Sequence, residues 1–514
     1  MVEQPYDLLV IGGGVNGAAI ARDAAGRGLL ALLCEQGDLA QGTSSATTKL
    51  LHGGLRYLEH RQFRLVRESL RERRVLWRSA PHLVEPLRFV LVHRPSMRPA
   101  WMIRLGLFLY DHIGGRRRLP GSRRIDLATH PCGGGLKPGF GAGFVYSDCR
   151  TDDARLVVLM AVDAAERGAE VRTRTRCRRA VRDGRGWRAT LEDARTGRVT
   201  EVAARAVVNA AGPWVDRVAE AVGGAGRRRL RLVRGSHIVV PALYAGDHAF
   251  VLQQADGRIV FAIPFADRFT LVGTTEVEHA GDPAQAAASP EEVDYLCRAV
   301  RPYLASGVRA EDVVWSFSGV RPLFDEDAGS ATAASRDYAL DLDAKDGAAP
   351  LLSVLGGKLT TCRALAENAL ERLVPLVGGS RRPWTRTAPL PGGDMADVAD
   401  FFAKFCRAYP WLPLPLGRRL VRAYGTRAHA LLEGARALAD LGADLGGGLH
   451  EREVEYLARH EWAETADDIL WRRSKLGLGA GPGTRRALDE CLRRSAAGST
   501  ARHHAHGEGG SIPS

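Results

Sequence analysis

The run Gly12-Gly13-Gly14-Val15-Asn16-Gly17 constrains this chain more than any other stretch. It follows the apolar segment Asp7 to Ile11 and leads into Ala18-Ala19-Ile20-Ala21-Arg22-Asp23-Ala24-Ala25, and a second apolar segment, Leu29 to Cys34, stops at Glu35. Strand, glycine-rich turn, helix, strand and acid, in that order, predict a dinucleotide-binding unit on a parallel sheet. Gly12 permits the tight turn, Gly14 lets the backbone approach a pyrophosphate, and Gly17 lets the helix lie close to the strand. The free N–H groups and positive dipole end of the helix then face the phosphates. Glu35 can accept hydrogen bonds from a ribose, and its charge repels a 2′-phosphate, which disfavours NADP.

A chain of 514 residues has room for about three domains and a large core. Apolar residues make up 45% and charged residues 25%, which excludes wholesale disorder. The net charge of +13 invites nucleic acid, an anionic membrane or an acidic small molecule. Lysine occurs only at positions 49, 137, 345, 358, 404 and 475, so nearly all of the 72 basic residues are arginine, which reads as compositional bias. No aromatic interleaving or reader motif accompanies the Arg116–Arg118 and Arg123–Arg124 cluster, so no nucleic-acid partner is expected. The eight cysteines form no CxxC pair and no metal spacing, which points to a reducing compartment, and no metal site is expected. Met1 to Pro5 lacks the features of a secretory signal, and the apolar stretch Trp101 to Tyr110 is far shorter than a membrane span.

The turn alone does not separate FAD from NAD. Two further apolar runs end in glycine: Ala206 to Gly212, and Leu351 to Gly357 followed by Lys358-Leu359-Thr360-Thr361 and a helical segment from Arg363 to Leu373. A helix N-terminus at Gly356 to Thr360 suits the negative charge that a flavin ring gains on reduction, and NAD has no such need. The fold class expected is α/β: an FAD-binding Rossmann-like domain of the glutathione-reductase type, an antiparallel substrate cap, and a C-terminal helical domain. The cofactor segments fall at about 1–90, 145–234 and 318–380, within an oxidoreductase region 1–388. The cap falls mainly at 235–317, from the strand-like runs 236–240, 258–263 and 269–273. The run Pro389 to Gly393 marks a boundary, and apolar residues at helical spacing over 397–409, 419–441 and 451–463 place the helical domain at 389–494. The stretch 495–514 is expected to be disordered.

The segment Thr43-Ser44-Ser45-Ala46-Thr47-Thr48-Lys49-Leu50-Leu51-His52-Gly53-Gly54-Leu55-Arg56-Tyr57-Leu58-Glu59 resembles the signature of the FAD-dependent, aerobic respiratory glycerol-3-phosphate dehydrogenases. Arg98 to Arg104, Tyr146 to Cys149, Arg234 to Pro241, Ser318 to Leu323, Gly356 to Thr361, and His460 to Arg473 are similar to other motifs of that family. The resemblance implies oxidation of sn-glycerol 3-phosphate at C2 to dihydroxyacetone phosphate, hydride transfer to non-covalent FAD, and delivery of electrons to membrane quinone. It implies a cytoplasmic protein held at the inner face of the cell membrane by peripheral contact, and it admits a homodimer. The cofactor residues it implies are Gly12, Gly13, Gly14, Asn16, Gly17, Glu35, Thr43, Ser44, Ser45, Lys49, Leu51, His52, Gly53, Gly54, Cys177, Ala211, Gly212, Gly319, Gly356, Gly357, Lys358, Leu359 and Thr360.

Two chemical tasks place the remaining residues. A phosphate dianion is best met by arginine forks with lysine as a point charge. Arg56, Arg321, Arg336 and Lys358 lie in the matching motifs, Thr274 adds a hydroxyl, and Tyr57 can orient the substrate. A proton must also leave the C2 hydroxyl. His237, on a strand expected to roof the flavin, is the leading base, since neighbouring cations would keep it neutral. His52 is the second candidate and reads first as flavin environment. Arg56 and Arg321 join His237 as the catalytic set. The apolar and basic run Arg98 to Tyr110, with Arg116 to Arg124, is the candidate membrane-docking surface. The alternatives are an oxidase of the same substrate that uses O₂ and yields peroxide, an amine oxidase of the glycine-oxidase type, which would not need these cations, and a non-catalytic flavin-binding regulator.

Overall fold

Apolar runs that end in glycine become the parallel centre of a sheet. The computed structural model describes residues 4–59, 61–94, 97–115, 119–184, 186–223, 230–324 and 337–505. It divides into two units, 1–390 and 391–514. Among the described residues the first sheet has eight strands, six of them in the order Tyr338–Asp343, Leu351–Gly356, Val199–Asn209, Tyr6–Ile11, Ala31–Cys34, Glu170–Arg172. Thr175–Asp183 and Gly186–Asp193 form a hairpin that pairs onto Val199–Asn209. The central pairs are parallel, with Ile11 beside Asn209 and Asn209 beside Ser353. Three carboxyl ends therefore meet at one edge, where open parallel sheets take their ligands. The helix Val15–Gly26 buries Ala18, Ala19, Ile20, Ala21 and Ala24. Their small side chains let it pack closely against Asp153–Glu166 and Cys362–Val377.

The second sheet has ten strands among the described residues. Eight run in the order Val277–Glu278, Leu230–Pro241, Phe269–Gly273, Ile259–Phe265, Ala249–Gln253, Val84–Val92, Ala142–Thr151, Leu50–Leu51. Trp315–Phe324 pairs with Leu230–Pro241, and Arg123–Asp126 with Ala142–Thr151. The strands expected at 236–240, 258–263 and 269–273 all lie in it. The sheet also recruits four strands from 50–151, outside the expected cap at 235–317. Val84–Val92 joins by pairing along its full length with Ala142–Thr151 and in parallel with Ala249–Gln253. Such long-range pairing leaves no mark in local periodicity. One face packs on the helix Pro290–Val300 through Ile238, Val240, Phe250, Val272, Leu296 and Val300. That helix starts at a capping box in which Ser289 and Glu292 satisfy each other's backbone N–H groups.

The division between the units falls inside the run Pro389 to Gly393. In the second unit the helices Val398–Ala408 and Glu451–Glu461 follow the expected spacing. The segment 419–441, where apolar residues recur at helical spacing, is helical in pieces: Gly425 at φ +57° ends the helix Leu414–Tyr424, and short helical turns follow. The final helix, Pro482–Ala505, carries on through the first part of the stretch expected to be disordered. Residues 506–514 lie outside the described residues.

Candidate active site

The glycine turn is built as its spacing demands. Gly12 has φ +113°, and a Cβ there would lie 2.6 Å from the Ala210 carbonyl oxygen; at Gly17 it would lie 1.9 Å from the Gly12 oxygen. No side chain fits either position. Glu35 Oε2 accepts from the Gly13 N–H at 2.7 Å and Oε1 from the Gly37 N–H at 2.8 Å. Burial raises the Glu35 pKa despite these two donors. Ser44 Oγ accepts from Val15 N–H at 2.9 Å, and Asn16 Nδ2 donates to the Gly356 oxygen at 3.1 Å. Asn16 Oδ1 is buried with no partner. An orphaned acceptor, a helix N-terminus and a backbone that excludes side chains together fit a dinucleotide cofactor. Ala211 and Gly212 lie at the end of the adjoining strand, next to the turn.

Beside the turn opens a cavity of about 1070 Å³. Its wall includes Thr43, Ser44, Thr48, His52, Gly54, Gly319, Gly356, Gly357, Lys358, Leu359 and Thr360 from the cofactor segments, and Arg56, Tyr57, Thr274 and Arg321 from the substrate set. Gly54 at φ +75° turns the chain so that Arg56 and Tyr57 come onto the wall. Lys358 Nζ lies 4.0 Å above the Tyr57 ring, a cation–π contact that holds both side chains. Arg321 Nη2 donates to Thr274 Oγ1 at 3.2 Å, and its Nη1 lies 3.6 Å from Glu276 Oε1. A Cβ on Gly235 would come within 2.7 Å of that guanidinium, so the glycine makes room for it. Arg336 lies outside the described residues.

Several expected residues stand behind this wall. His237 is 1% exposed and does not line the cavity. Its imidazole stacks on Phe317 with ring centroids 4.9 Å apart, and fills the space over Gly273, where a Cβ would be 2.1 Å from Cδ2. Its Nε2 meets Thr48 Oγ1 at 3.0 Å. Burial first, then Arg321 and Lys49, push its pKa well below the ordinary histidine value. Lys49 is turned inward, with Nζ 2.8 Å and 2.9 Å from the two Asp153 oxygens and 2.8 Å from the Ser45 carbonyl. These bonds tie the segment 45–49 to the helix Asp153–Glu166. Gly53 is buried, and its N–H donates to Tyr110 Oη at 2.7 Å. Leu51 is buried in a strand pair with Cys149. Cys177 lies in the core with Leu9, Ile11, Leu32 and Cys34, its thiol pushed up to about 11 by burial.

Sequence reasoning missed Thr48 as a wall residue, the glycines Gly235 and Gly273 that seat Arg321 and His237, and Glu276. The signal was present in the alternation of Leu230–Pro241. Val233, Gly235 and His237 face one side, opposite Arg321, Gly319 and Phe317, and Arg234 and Ser236 face the other. On that other side Arg234 Nη2 lies 2.7 Å from Glu292 Oε2, and Ser236 and Thr275 donate to Glu292 Oε1 at 2.8 Å and 2.6 Å. No periodicity foretells Glu292, which arrives from a helix more than fifty residues away.

The helix Ala100–Ile113 carries the expected docking run. Met102, Leu105 and Leu109 contribute to the cavity wall. Trp101 is 66%, Leu105 50% and Phe108 51% exposed. Arg116–Arg118 lie outside the described residues. No helix among the described residues is long and apolar enough to cross a membrane.

Comparison with known proteins shows the family of the chain. The family described as FAD dependent oxidoreductase matches residues 7–361, and the one described as C-terminal domain of alpha-glycerophosphate oxidase matches 383–497. A glycerol-3-phosphate dehydrogenase of Pseudomonas aeruginosa is 54% identical over 490 residues, covering 95% of each chain. A D-erythritol 1-phosphate dehydrogenase of Brucella abortus is 51% identical, covering 91% of this chain and 94% of its own. The crystal structure of a glycerol-3-phosphate dehydrogenase from Bacillus halodurans complexed with FAD is similar at a TM-score of 0.73 and 27% identity, covering 98% of this chain and 92% of its own.

Proposed function

The chain belongs to the FAD-dependent glycerol-3-phosphate dehydrogenases, and from that membership we propose that it oxidises sn-glycerol 3-phosphate at C2 to dihydroxyacetone phosphate and passes the electrons to a membrane quinone. The observation that carries this reading is the joint wall: Arg56, Arg321 and Lys358 share one cavity with Thr274, Tyr57 and the cofactor segments around His52, Gly319 and Gly356 to Thr360. When bound, FAD supplies the oxidant, taking the C2 hydrogen with its electron pair. Arg56 and Arg321 engage the phosphate in pairs of hydrogen bonds, and Lys358 adds a point charge. Thr274 and Tyr57 orient the glycerol hydroxyls. His237, kept neutral by burial and by its cationic neighbours, is the base on which the proton released from the C2 hydroxyl comes to rest.

Substrate length is the point on which a second reading rests, since one close relative carries the name D-erythritol 1-phosphate dehydrogenase. The same cations suit any polyol phosphate. Anaerobic addition of glycerol 3-phosphate should bleach the flavin, with kcat/KM at least tenfold above that for D-erythritol 1-phosphate. The reverse preference reassigns the substrate, and no bleaching with either overturns the reading. Reoxidation by a quinone analogue much faster than by O₂ separates the dehydrogenase from an oxidase.

The exposed side chains Trp101, Leu105 and Phe108, with Arg98 beside them, suit the headgroup region of an anionic bilayer. Because Leu105 and its neighbours also rim the cavity, an apolar acceptor could leave the bilayer close to the flavin. Sedimentation with anionic vesicles should fall sharply for Trp101→Glu with Phe108→Glu. Unchanged sedimentation removes this helix from the docking surface.

A further inference from the structure

The proposed base cannot touch the substrate from where it lies. His237 points to the cavity side of its strand, yet Phe317, Gly273 and Thr48 close around it and leave it 1% exposed. Thr48 is what stands between: its hydroxyl is 3.0 Å from His237 Nε2, and the residue lines the cavity. We infer that Thr48 is a catalytic residue, a hydroxyl relay that takes the proton of the C2 alcohol and gives its own to His237. The inference rests on the reading of His237 as the base.

Among the described residues, the other groups around the imidazole are poor proton carriers. Lys49, the nearest cation on the Thr48 segment, is tied to both Asp153 oxygens and to the Ser45 carbonyl, and its Nζ lies 4.9 Å above the Phe317 ring. Arg321 faces His237 from the neighbouring strand and cannot act as a base at any working pH. Among the described residues no carboxylate bonds to the imidazole, and its Nδ1 is buried with no partner. A threonine hydroxyl is both donor and acceptor, so it can pass a proton while remaining an alcohol. As the C2 hydrogen leaves with its electron pair, the O–H bond of the C2 hydroxyl breaks and its electrons complete the carbonyl. That proton bonds to Thr48 Oγ1, and the proton already on Thr48 moves to Nε2. Threonine is regenerated, and the imidazole ends protonated.

Arg321 also gives the relay its timing. In the free protein burial first, and then the charges of Arg321 and Lys49, oppose protonation of His237. A phosphate dianion held by Arg321 brings negative charge to the same spot and favours the imidazolium when substrate is in place.

The test uses the FAD-loaded protein, anaerobic flavin reduction by glycerol 3-phosphate, and the variants Thr48→Val, Thr48→Ser and His237→Asn. Thr48→Val should slow reduction about 100-fold, with FAD content and the substrate dissociation constant little changed. Thr48→Ser should restore the rate to within a few-fold. The double variant Thr48→Val with His237→Asn should be no slower than His237→Asn alone, as expected of residues acting in series. A proton inventory on the unaltered enzyme gives a reading that needs no variant. Two protons in flight give a curved dependence on deuterium fraction, and one gives a straight line. Slow reduction by His237→Asn with normal reduction by Thr48→Val overturns the relay and leaves the base in place. Normal reduction by His237→Asn overturns the base and the relay together.

Discussion

The two faces of the strand Leu230–Pro241 use the same residue types for opposite ends. On the face against the helix Pro290–Val300, Arg234 lies 2.7 Å from Glu292, whose carboxylate also takes the hydroxyls of Ser236 and Thr275. On the cavity face, Arg321 has Glu276 at 3.6 Å, a threonine hydroxyl at 3.2 Å, and a glycine where a side chain would block it. The outer network is nearly buried and its charges are matched. The inner one is about one-third exposed and lines a cavity large enough for cofactor and substrate. In an arginine-rich chain the presence of arginine therefore says little. How tightly a carboxylate holds it separates binding from bracing.

Arg321→Ala should break the inner face alone. Loss of a forked contact to a desolvated anion costs on the order of 100-fold or more in kcat/KM, with thermal stability close to that of the parent. A similar fall in melting temperature and activity together would mean that Arg321 is structural. Arg234→Met should do the reverse. Removing one partner of a mostly buried pair leaves Glu292 uncompensated and costs on the order of 3 kcal/mol of stability, while residual folded protein keeps its KM for glycerol 3-phosphate. Denaturant titration and steady-state kinetics on the two variants side by side decide the matter.

How much of this was legible depended on whether a signal was local. The turn Gly12 to Gly17 and Glu35 were readable because strand, turn and helix lie within thirty residues, and the structure shows steric reasons for Gly12 and Gly17. Arg56, Tyr57, Thr274, Arg321 and Lys358 were found through motifs and come together on one wall. Lys49 lies in one of those motifs and Cys177 in none, and both face the interior, since neither a motif nor its neighbourhood says which way a side chain turns. The inward turn of Lys49 depends on Asp153, and the burial of His237 on Phe317 and Thr48, all distant in sequence. The recruitment of Val84–Val92 and Ala142–Thr151 to the substrate sheet was equally non-local.

The two faces should also part in acid. His237 is held neutral, by burial first and then by Arg321 and Lys49, with its pKa well below 6.5. Between about pH 6.5 and that lowered value the unfolded chain binds a proton that the folded chain refuses, so stability falls as pH drops through this window. Glu292 is desolvated, yet its bonds from Thr275, Ser289 and Ser236 and the charge of Arg234 outweigh that and lower its pKa below 4.5. Its contribution is complete above the ordinary glutamate range and is lost as pH falls through the lowered value. His237→Asn should flatten the loss just below pH 6.5, and Glu292→Gln should flatten only the loss below about 4.5. Both slopes are measurable by denaturant titration across pH.

The smallest effect expected concerns the join between the cavity and the exposed helix Ala100–Ile113. Tyr110 is the buried residue on that helix whose hydroxyl accepts from Gly53 N–H at 2.7 Å and donates to Asp148 Oδ2 at 2.7 Å. Arg73 pairs with the same carboxylate. Burial raises the phenol's pKa well above its usual value, so it stays protonated and keeps the donor that Asp148 needs. Tyr110→Phe removes one oxygen and leaves the ring packed, so its stability cost should be about 1 to 2 kcal/mol. The Gly53 N–H would lose its 2.7 Å partner, and the segment that carries His52, Arg56 and Tyr57 would be less firmly held. The loss should therefore appear as a several-fold rise in KM with kcat nearly unchanged, since uniform binding is what a looser wall gives up. A change in kcat alone would mean that Tyr110 acts on the chemistry, and would move the boundary between bracing and binding from the substrate sheet to this helix.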